Sequence, residues 1–318
     1  MLLPSRLRPS NRRDFLGTVL AGAAGVSLAA RAAFAQPAPA KAAIAATKLS
    51  DNLTMITGAG ANVMVVTGPD GLVLVDGGLP DRSPELLKLI AEQFEQHPVK
   101  ALFNTHWHLD HTGSNEALGK AGAKIIAHRN TKRWLSSTVF VEAQNRTYPP
   151  RPTEAIPTEV FDTTGNMTFG PEKLVYGHLP PAHTDGDIYV FFPGPNILMV
   201  SDVLSVARYP VMDYSTGGWI GGMIDATAAL MKIADAKTRI VPGAGPLQTR
   251  DDLKAEHDML TTVKERVQTM LRQGKGLDDV VPEAPTKEFD AKWGKPDLFL
   301  SMTYKGLLRH THEIGGIL

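Results

Sequence analysis

The chain has 318 residues, with 33 basic and 33 acidic side chains, ten histidines and no cysteine. Balanced charge without a basic stripe excludes an electrostatic binder of nucleic acid, and the lack of thiols excludes disulfides and thiolate metal ligands. With 43% apolar residues, a chain of this length can bury the core of one α/β domain without covalent staples.

In chain order, residues 1–35 read as an export signal. Arg6, Arg8, Arg12 and Arg13 form a basic head, Phe15 to Ala30 is apolar and uncharged, and Ala33-Phe34-Ala35 offers small residues to a signal peptidase. The apolar stretch is short for a membrane span, which needs ~20 residues; an uncleaved anchor is the alternative. Ser10-Asn11-Arg12-Arg13-Asp14-Phe15-Leu16 resembles a twin-arginine signal, with an ordinary secretory signal as the other reading. The twin-arginine route carries folded proteins and suits a cofactor loaded before export. The expected location is therefore the bacterial periplasm or the medium, with the twin-arginine export machinery as a transient partner and no stable membrane insertion once the signal is removed. Losing Arg6, Arg8, Arg12, Arg13, Arg31 and Asp14 leaves the remainder mildly acidic.

Residues 36–47, rich in Ala and Pro, are expected to be a flexible linker. One folded domain is expected over 48–318, ending in a helical tail. Leu53 to Val66 and Gly71 to Val75 read as strands joined by the turn Pro69-Asp70-Gly71. Ser83-Pro84-Glu85 marks a helix start with Ser83 as cap, and Leu86, Leu87, Ile90, Ala91 and Phe94 make its apolar stripe. Lys100 to Asn104 reads as a buried strand, Ser114 to Lys120 as a short helix, and Ala123 to Ala127 as a strand. This alternation predicts a layered α/β fold. After the break at Tyr148-Pro149-Pro150 come short strands at Glu159–Phe161, Met167–Phe169, Lys173–Gly177, Asp187–Phe192 and Ile197–Ser201. Helices are predicted over Met223–Lys237 and Arg250–Arg272, with the strand Arg239–Val241 between them.

The chemistry concentrates in His106-Trp107-His108-Leu109-Asp110-His111, directly after the apolar run Ala101-Leu102-Phe103. Three of the ten histidines and a carboxylate fall within six residues, and imidazole nitrogen with carboxylate oxygen is a donor set suited to zinc and its neighbours. A helix would pair His106 with Asp110, or His108 with His111. A tight loop would instead split the set, His106 and His108 to one ion, Asp110 and His111 to a second.

His-x-His-x-Asp-His after a strand resembles the signature of the metallo-β-lactamase-fold hydrolases. The likeness extends over roughly residues 50–250 through Val75-Asp76-Gly77-Gly78, His183-Thr184-Asp185-Gly186-Asp187, Ser201-Asp202 and Val241-Pro242-Gly243. It implies a four-layer αβ/βα sandwich with metals at the sheet edge. It also implies a first ion on His106, His108 and His183, leaving a tetrahedral site one open position, and a second on Asp110 and His111. Asp202 matches the bridging carboxylate of the glyoxalase-II-like branch; its alternative role is a turn cap. One or two zinc ions are expected, with iron or manganese equally compatible with these donors. The family usually completes the second shell with a histidine where this chain has Ala244, so that site is expected to be weakened; His310 and His312 are candidate substitutes. His178 reads as a packed or supporting histidine. Asp76 and Asp187 could orient ligating imidazoles or cap turns. Trp107, Tyr209, Tyr214 and the loop Gly217–Gly222 could wall a substrate cleft or cover the core.

The implied activity is hydrolysis of an ester, lactone, thioester, amide, or phosphate or sulfate ester of a small molecule. A metal-activated water would be the nucleophile, and Asp110 would act as its orienting and proton-carrying residue. A β-lactamase is one alternative, although the bridging Asp202 and Ala244 both depart from that branch. A non-catalytic periplasmic metal- or ligand-binding accessory protein is the other. No Gly-x-Ser-x-Gly elbow occurs in the mature chain, and P-loop and His-Glu-x-x-His motifs are absent throughout. Substrate and oligomeric state are not written in the sequence.

Overall fold

The computed structural model describes residues 42–313. The expected signal and the first half of the expected linker, 36–41, lie outside the described residues. The last part of that linker, 45–47, belongs to strand β1 (Ala45–Lys48), which pairs antiparallel with β2 (Leu53–Thr57). The run predicted as one strand from Leu53 to Val66 is two, β2 and β3 (Val63–Gly68). Gly58 and Gly60 turn the chain between them at φ of 84° and 110°, values that side chains resist. β4 (Gly71–Val75) follows through the predicted turn, and α1 (Ser83–Gln93) leads to β5 (Val99–Asn104). Ser83 is not the cap of α1: Arg82 holds that position, and Ser83 Oγ instead accepts from Ser114 Oγ.

After β5 come the short helices α2 (Leu109–Thr112) and α3 (Asn115–Lys120), then β6 (Lys124–His128) and α4 (Arg129–Leu135). A hairpin of β7 (Val139–Val141) and β8 (Arg146–Tyr148) precedes the Pro-rich break. β9 (Glu159–Phe161) completes a 7-stranded sheet in the order β1-β2-β3-β4-β5-β6-β9, parallel from β4 onward. The second sheet runs β10 (Thr164–Phe169), β11 (Glu172–His178), β12 (Ile188–Phe192), β13 (Ile197–Ser201) and β14 (Arg239–Pro242). It is antiparallel except for β13 beside β14. Helices α5 (Ile220–Ile233), α6 (Arg250–Arg272), α7 (Leu277–Val280), α8 (Asp290–Trp293) and α9 (Asp297–Glu313) account for the C-terminal third.

Three apolar clusters define four layers. Val73, Val75, Phe103 and Ile126 of the first sheet meet Ile188, Val190, Met199 and Val241 of the second. The outer face of the first sheet packs Leu72, Leu74 and Leu102 against Leu86 and Ile90 of α1. On the other side Leu198, Val200 and Ile240 pack against Met223 and Leu230 of α5 and Leu260 and Val263 of α6. Both sheets are thus apolar on two faces, as central strands covered by helices must be. This is the αβ/βα sandwich expected from the sequence. Chain ends of β4, β5, β13 and β14 converge at one edge, the place where open α/β sheets commonly bind ligands. Among the described residues no helix is long and apolar enough to cross a membrane.

Candidate metal centre

Two strand ends set the frame. Asp76, one residue past β4, is wholly buried and held in the left-handed region at φ 65°. Its carboxylate accepts from Thr105 N (Oδ1, 2.8 Å) and from Thr105 Oγ1 (Oδ2, 2.8 Å), tying β4 to the start of the histidine loop. Ser201, the last residue of β13, is also left-handed at φ 52° and turns the chain to present Asp202. Non-glycine residues in that region cost free energy and persist where surrounding structure over-determines them, often at functional sites.

Hydrogen bonds on the outer ring nitrogens decide what the inner ones offer. His183 Nδ1 lies 2.7 Å from the Val211 carbonyl, His108 Nε2 lies 3.1 Å from Asp213 Oδ2, and His111 Nδ1 lies 2.7 Å from Asp76 Oδ2. Each partner only accepts, so each outer nitrogen carries the hydrogen and each inner nitrogen of a neutral ring presents a lone pair. The inner nitrogens His183 Nε2 and His108 Nδ1 then face one another at 2.8 Å. Two lone pairs at that distance repel unless a proton or a shared cation lies between them. His106 Nε2 and His111 Nε2 are buried and have no hydrogen-bond partner, a costly state for an imidazole without a ligand. A metal ion resolves all of these at once, and the carboxylate and carbonyl partners behind the rings are those that orient metal-binding histidines.

The donors fall into two groups, His106 with His108 and His183, and His106 with His111 and Asp202; within each group the ligand atoms lie within 4.8 Å of one another. Asp202 Oδ2 stands between them, 3.5 Å from His111 Nε2, 3.5 Å from His183 Nε2 and 4.0 Å from His106 Nε2. Asp110 lies at the edge of the second group, 3.7 Å from His111 Nε2, with its side chain 43% exposed.

Asp202 is seated against the loop after β14. A Cβ on Gly243 would lie 1.7 Å from Asp202 Oδ1, so only glycine fits there. Asn62 braces the same loop, donating from Nδ2 to the carbonyls of Pro242 and Gly245, both at 2.9 Å. Ala244 follows directly and offers no donor atom. His310, weighed as its substitute, is stacked on the Trp219 ring at 3.6 Å and joins neither donor group. The side chain of His312 lies outside the described residues. His178 stacks on His128 at 3.7 Å and meets the Asp185 carbonyl, in keeping with its reading as a packed, supporting residue. Asp187 touches no ligating ring; its carboxylate accepts from His183 N, Thr184 N and Thr184 Oγ1, so it caps the turn that carries His183. Asp213, Asn62 and the Val211 carbonyl are absent from the sequence reading. No local signal marks them, because each meets its partner only through the tertiary fold.

Electrostatics follow burial and crowding. Burial, with the neighbouring imidazoles, drives His106 well below the usual histidine range and keeps it neutral. His111 runs the other way: burial opposes its charge, yet Asp76, Asp110 and Asp202 raise it well above the usual histidine range. Burial opposes charge on Asp202 too, yet the facing His111 and His183 hold its carboxyl well below the usual range. A divalent cation would take the place of the extra His111 proton beside the ionised Asp202 carboxylate, because a ligating imidazole is neutral.

The donor cluster opens into a cleft of about 440 Å³, lined by Leu79, Pro80, Trp107, Leu109, Tyr148 and Val211 together with polar residues and the candidate ligands His108, His183 and Asp202. Of the aromatic residues considered as walls, Trp107 lines this cleft. Tyr209 is buried against Phe299, and Trp219 stacks on His310.

Comparison with known proteins agrees with this geometry. Residues 56–258 match the family model described as the metallo-beta-lactamase superfamily. Metallo-beta-lactamase IND-1 of Chryseobacterium indologenes is 28% identical over 140 residues, 43% of this chain and 52% of its own length, so the chain spans about half of that curated relative. Among solved structures, a metallo-beta-lactamase from Pontibacter korlensis superposes with a TM-score of 0.57 at 21% identity, covering 69% of this chain and 99% of its own. The inverting sec-alkylsulfatase Pisa1 from Pseudomonas sp. superposes with a TM-score of 0.66 at 17% identity, covering 86% of this chain and 55% of its own. Likeness at such identities speaks for the fold, while the family match spans most of the chain from β2 into α6. By its fold, its clustered donors and that match, the chain belongs to the metallo-beta-lactamase superfamily.

Proposed function

We propose that this protein is a metal-dependent hydrolase of a small-molecule ester, lactone, thioester, amide, or phosphate or sulfate ester. One observation carries the proposal: hydrogen bonds behind three rings turn the inner nitrogens of His108, His111 and His183 towards one place beside His106 Nε2, and neither His106 Nε2 nor His111 Nε2 has a hydrogen-bond partner. His106, His108 and His183 would hold the first ion, and His111 with Asp202 and Asp110 the second. Zinc suits these donors, as do iron and manganese. A bound ion supplies Lewis acidity and lowers the pKa of water at its open position.

The chain's own residues do the rest. Asp213, Val211 and Asp76 hold the rings in one tautomer, so no reorganisation is needed at the moment of reaction. Asp110, at the cleft lip beside His111, is placed to take a proton at its carboxylate and pass it to a leaving group. Trp107, Leu109 and Val211 exclude water along the cleft. Asp202 at the bridging position supports the glyoxalase-II-like branch. With Ala244 beside it, β-lactam hydrolysis is the less supported activity, even though one relative is a metallo-beta-lactamase. We further propose that residues 1–35 direct export by the twin-arginine route, and that the enzyme works in the periplasm or outside the cell.

Ala244 favours one competing reading, a scaffold that binds metal without turnover. Elemental analysis joined to a substrate panel separates the two. Metal-dependent hydrolysis that disappears in His108→Ala is the expected result. Stoichiometric metal with no turnover across esters, lactones, thioesters, phosphodiesters and sulfate esters would overturn the hydrolase reading.

A further inference from the structure

His128 and His178 join the two sheets beside the loop that carries His183. His128 is the last residue of β6 and His178 the last of β11, and their rings lie 3.7 Å apart and within 7° of parallel. His128 is buried and caps α4. Its Nδ1 accepts from Asn130 N at 3.3 Å, which requires a lone pair on that nitrogen and so a neutral ring. His178 Nε2 lies 2.9 Å from the Asp185 carbonyl, which only accepts, so that nitrogen carries the hydrogen.

α4 closes on the same loop. Asn130 Nδ2 donates to the Asp185 carbonyl at 2.9 Å, Thr131 Oγ1 to the Gly186 carbonyl at 3.2 Å, and Trp134 Nε1 to Asp185 Oδ1 at 2.6 Å. The fit is close, since a Cβ on Gly186 would lie 2.5 Å from Thr131 Oγ1. These bonds grip the chain just past His183, a member of the first donor group. The charged groups facing the stack are Arg129 and Asp162, paired with one another at 2.6 Å, and Asp185 with Arg133 beside it. Burial, and then the adjoining His178, lower the His128 pKa to about 4; Arg129 adds to this and Asp162 opposes it.

From this geometry we infer that the His128–His178 stack is a proton-sensitive clasp, positioning the His183 loop while His128 is neutral and releasing it when His128 takes up a proton. A proton on Nδ1 turns the acceptor that seats the start of α4 into a donor, and sets a positive charge between Arg129 and the His178 ring. In the opened loop the ring regains its ordinary value of 6.5, so the closed state keeps its full advantage above pH 6.5 and loses it as pH falls towards 4. At pH 5 a free ring is about 30 times more often charged than neutral, while the stacked ring is mostly neutral. Opening should therefore be about 30-fold more frequent at pH 5 than at pH 7.5. The clasp rests on the fold alone and goes beyond the hydrolase reading without depending on it.

Hydrogen exchange read by mass spectrometry, corrected for the intrinsic effect of pH on exchange, tests the clasp on the full chain as purified, with metal content matched between samples. Peptides covering 129–135 and 179–187 report on it, and β3 serves as reference. The variants are His128→Asn and His128→Gln, each checked for native circular dichroism; both keep an acceptor for Asn130 N and neither takes a proton, Asn being a favoured helix cap. Between pH 7.5 and pH 5 the parent should lose about tenfold or more of its protection in both peptides relative to β3, and either folded variant less than about threefold. Asp187 and the donor histidines are the same in parent and variant, so the difference between the proteins reports His128. Unchanged protection in the parent would overturn the inference, as would a loss of the same size in a variant. A histidine-ring titration of the parent by NMR needs no folded variant to refute it: if every ring charges near 6.5 in the native protein, no clasp is built on His128.

Discussion

Glu256, on α6, is a buried acid with one oxygen accepting from Ser205 N at 2.8 Å and the other without a hydrogen-bond partner. Ser205 lies three residues beyond Asp202, so this carboxyl anchors the loop that carries Asp202. Burial, with the neighbouring Asp202 carboxylate, outweighs the Ser205 N–H and the cations Lys292 and Arg208, lifting its pKa from 4.5 to about 8. An acid with a raised folded pKa holds its proton in the native state after the unfolded chain has released it. Stability therefore falls as pH rises from the unfolded value near 4.5, and the fall ends once pH passes about 8. Across that window the cost reaches roughly 4–5 kcal/mol at most, because each pKa unit is worth ~1.4 kcal/mol. Glu256→Gln keeps an acceptor for Ser205 N, matches the shape of the protonated acid and removes the titration. At pH 5 the variant and the parent should melt within a degree or two. At pH 8.5 the variant should melt about 10 °C higher, at ~2–4 °C per kcal/mol for a domain of this size. The assay is a thermal melt from pH 5 to pH 9 at saturating zinc, so that metal linkage is constant. Coincident melting curves for parent and variant at pH 8.5, or a parent whose stability does not decline between pH 5 and pH 8, would refute the reasoning.

Three further outcomes are expected. Asp76→Asn leaves one acceptor oxygen, which Thr105 N claims, and puts an amide NH2 where Oδ2 accepts from His111 Nδ1; it should weaken the second metal by about 10- to 100-fold in a zinc titration, leaving the first ion less affected. Gly243→Ala forces a methyl to within 1.7 Å of Asp202 Oδ1; the carboxylate must shift, and the variant should lose the second equivalent of metal by elemental analysis while remaining folded. Ala244→His places an imidazole beside the Asp202 seat, and second-metal affinity should rise in the same titration. An unchanged affinity would show that residue 244 does not face the vacant corner.

Much of the donor set was legible in the chain because it is local. His106, His108, Asp110 and His111 fall within six residues after a strand, and a loop there has few ways to keep their rings apart. His183 and Asp202 entered only through resemblance, since nothing in Leu179-Pro180-Pro181-Ala182 or Ile197–Ser201 announces a partner some 75 to 95 residues away. A layered α/β fold was also readable from the alternation of strands and helices, and β4, β5 and β13 are continuous apolar runs of the kind that sheets covered on both faces require; the αβ/βα order of the layers came from the resemblance. The β7–β8 hairpin was not: its three-residue strands carry no alternation long enough to register, and its role as a cleft wall depends on Tyr148 meeting Trp107.

The amino-acid order by itself determined the donor types and the spacing of the histidine loop, because these are properties of single residues and their neighbours; that a donor is expected at position 244 came from the resemblance alone. Folding alone decided which nitrogen of each ring faces inward. Asp76 meets His111, Asp213 meets His108 and the Val211 carbonyl meets His183 across separations of 35, 105 and 28 residues. A tautomer is set by the acceptor behind the ring, and that acceptor arrives only when distant strand ends are brought to one edge.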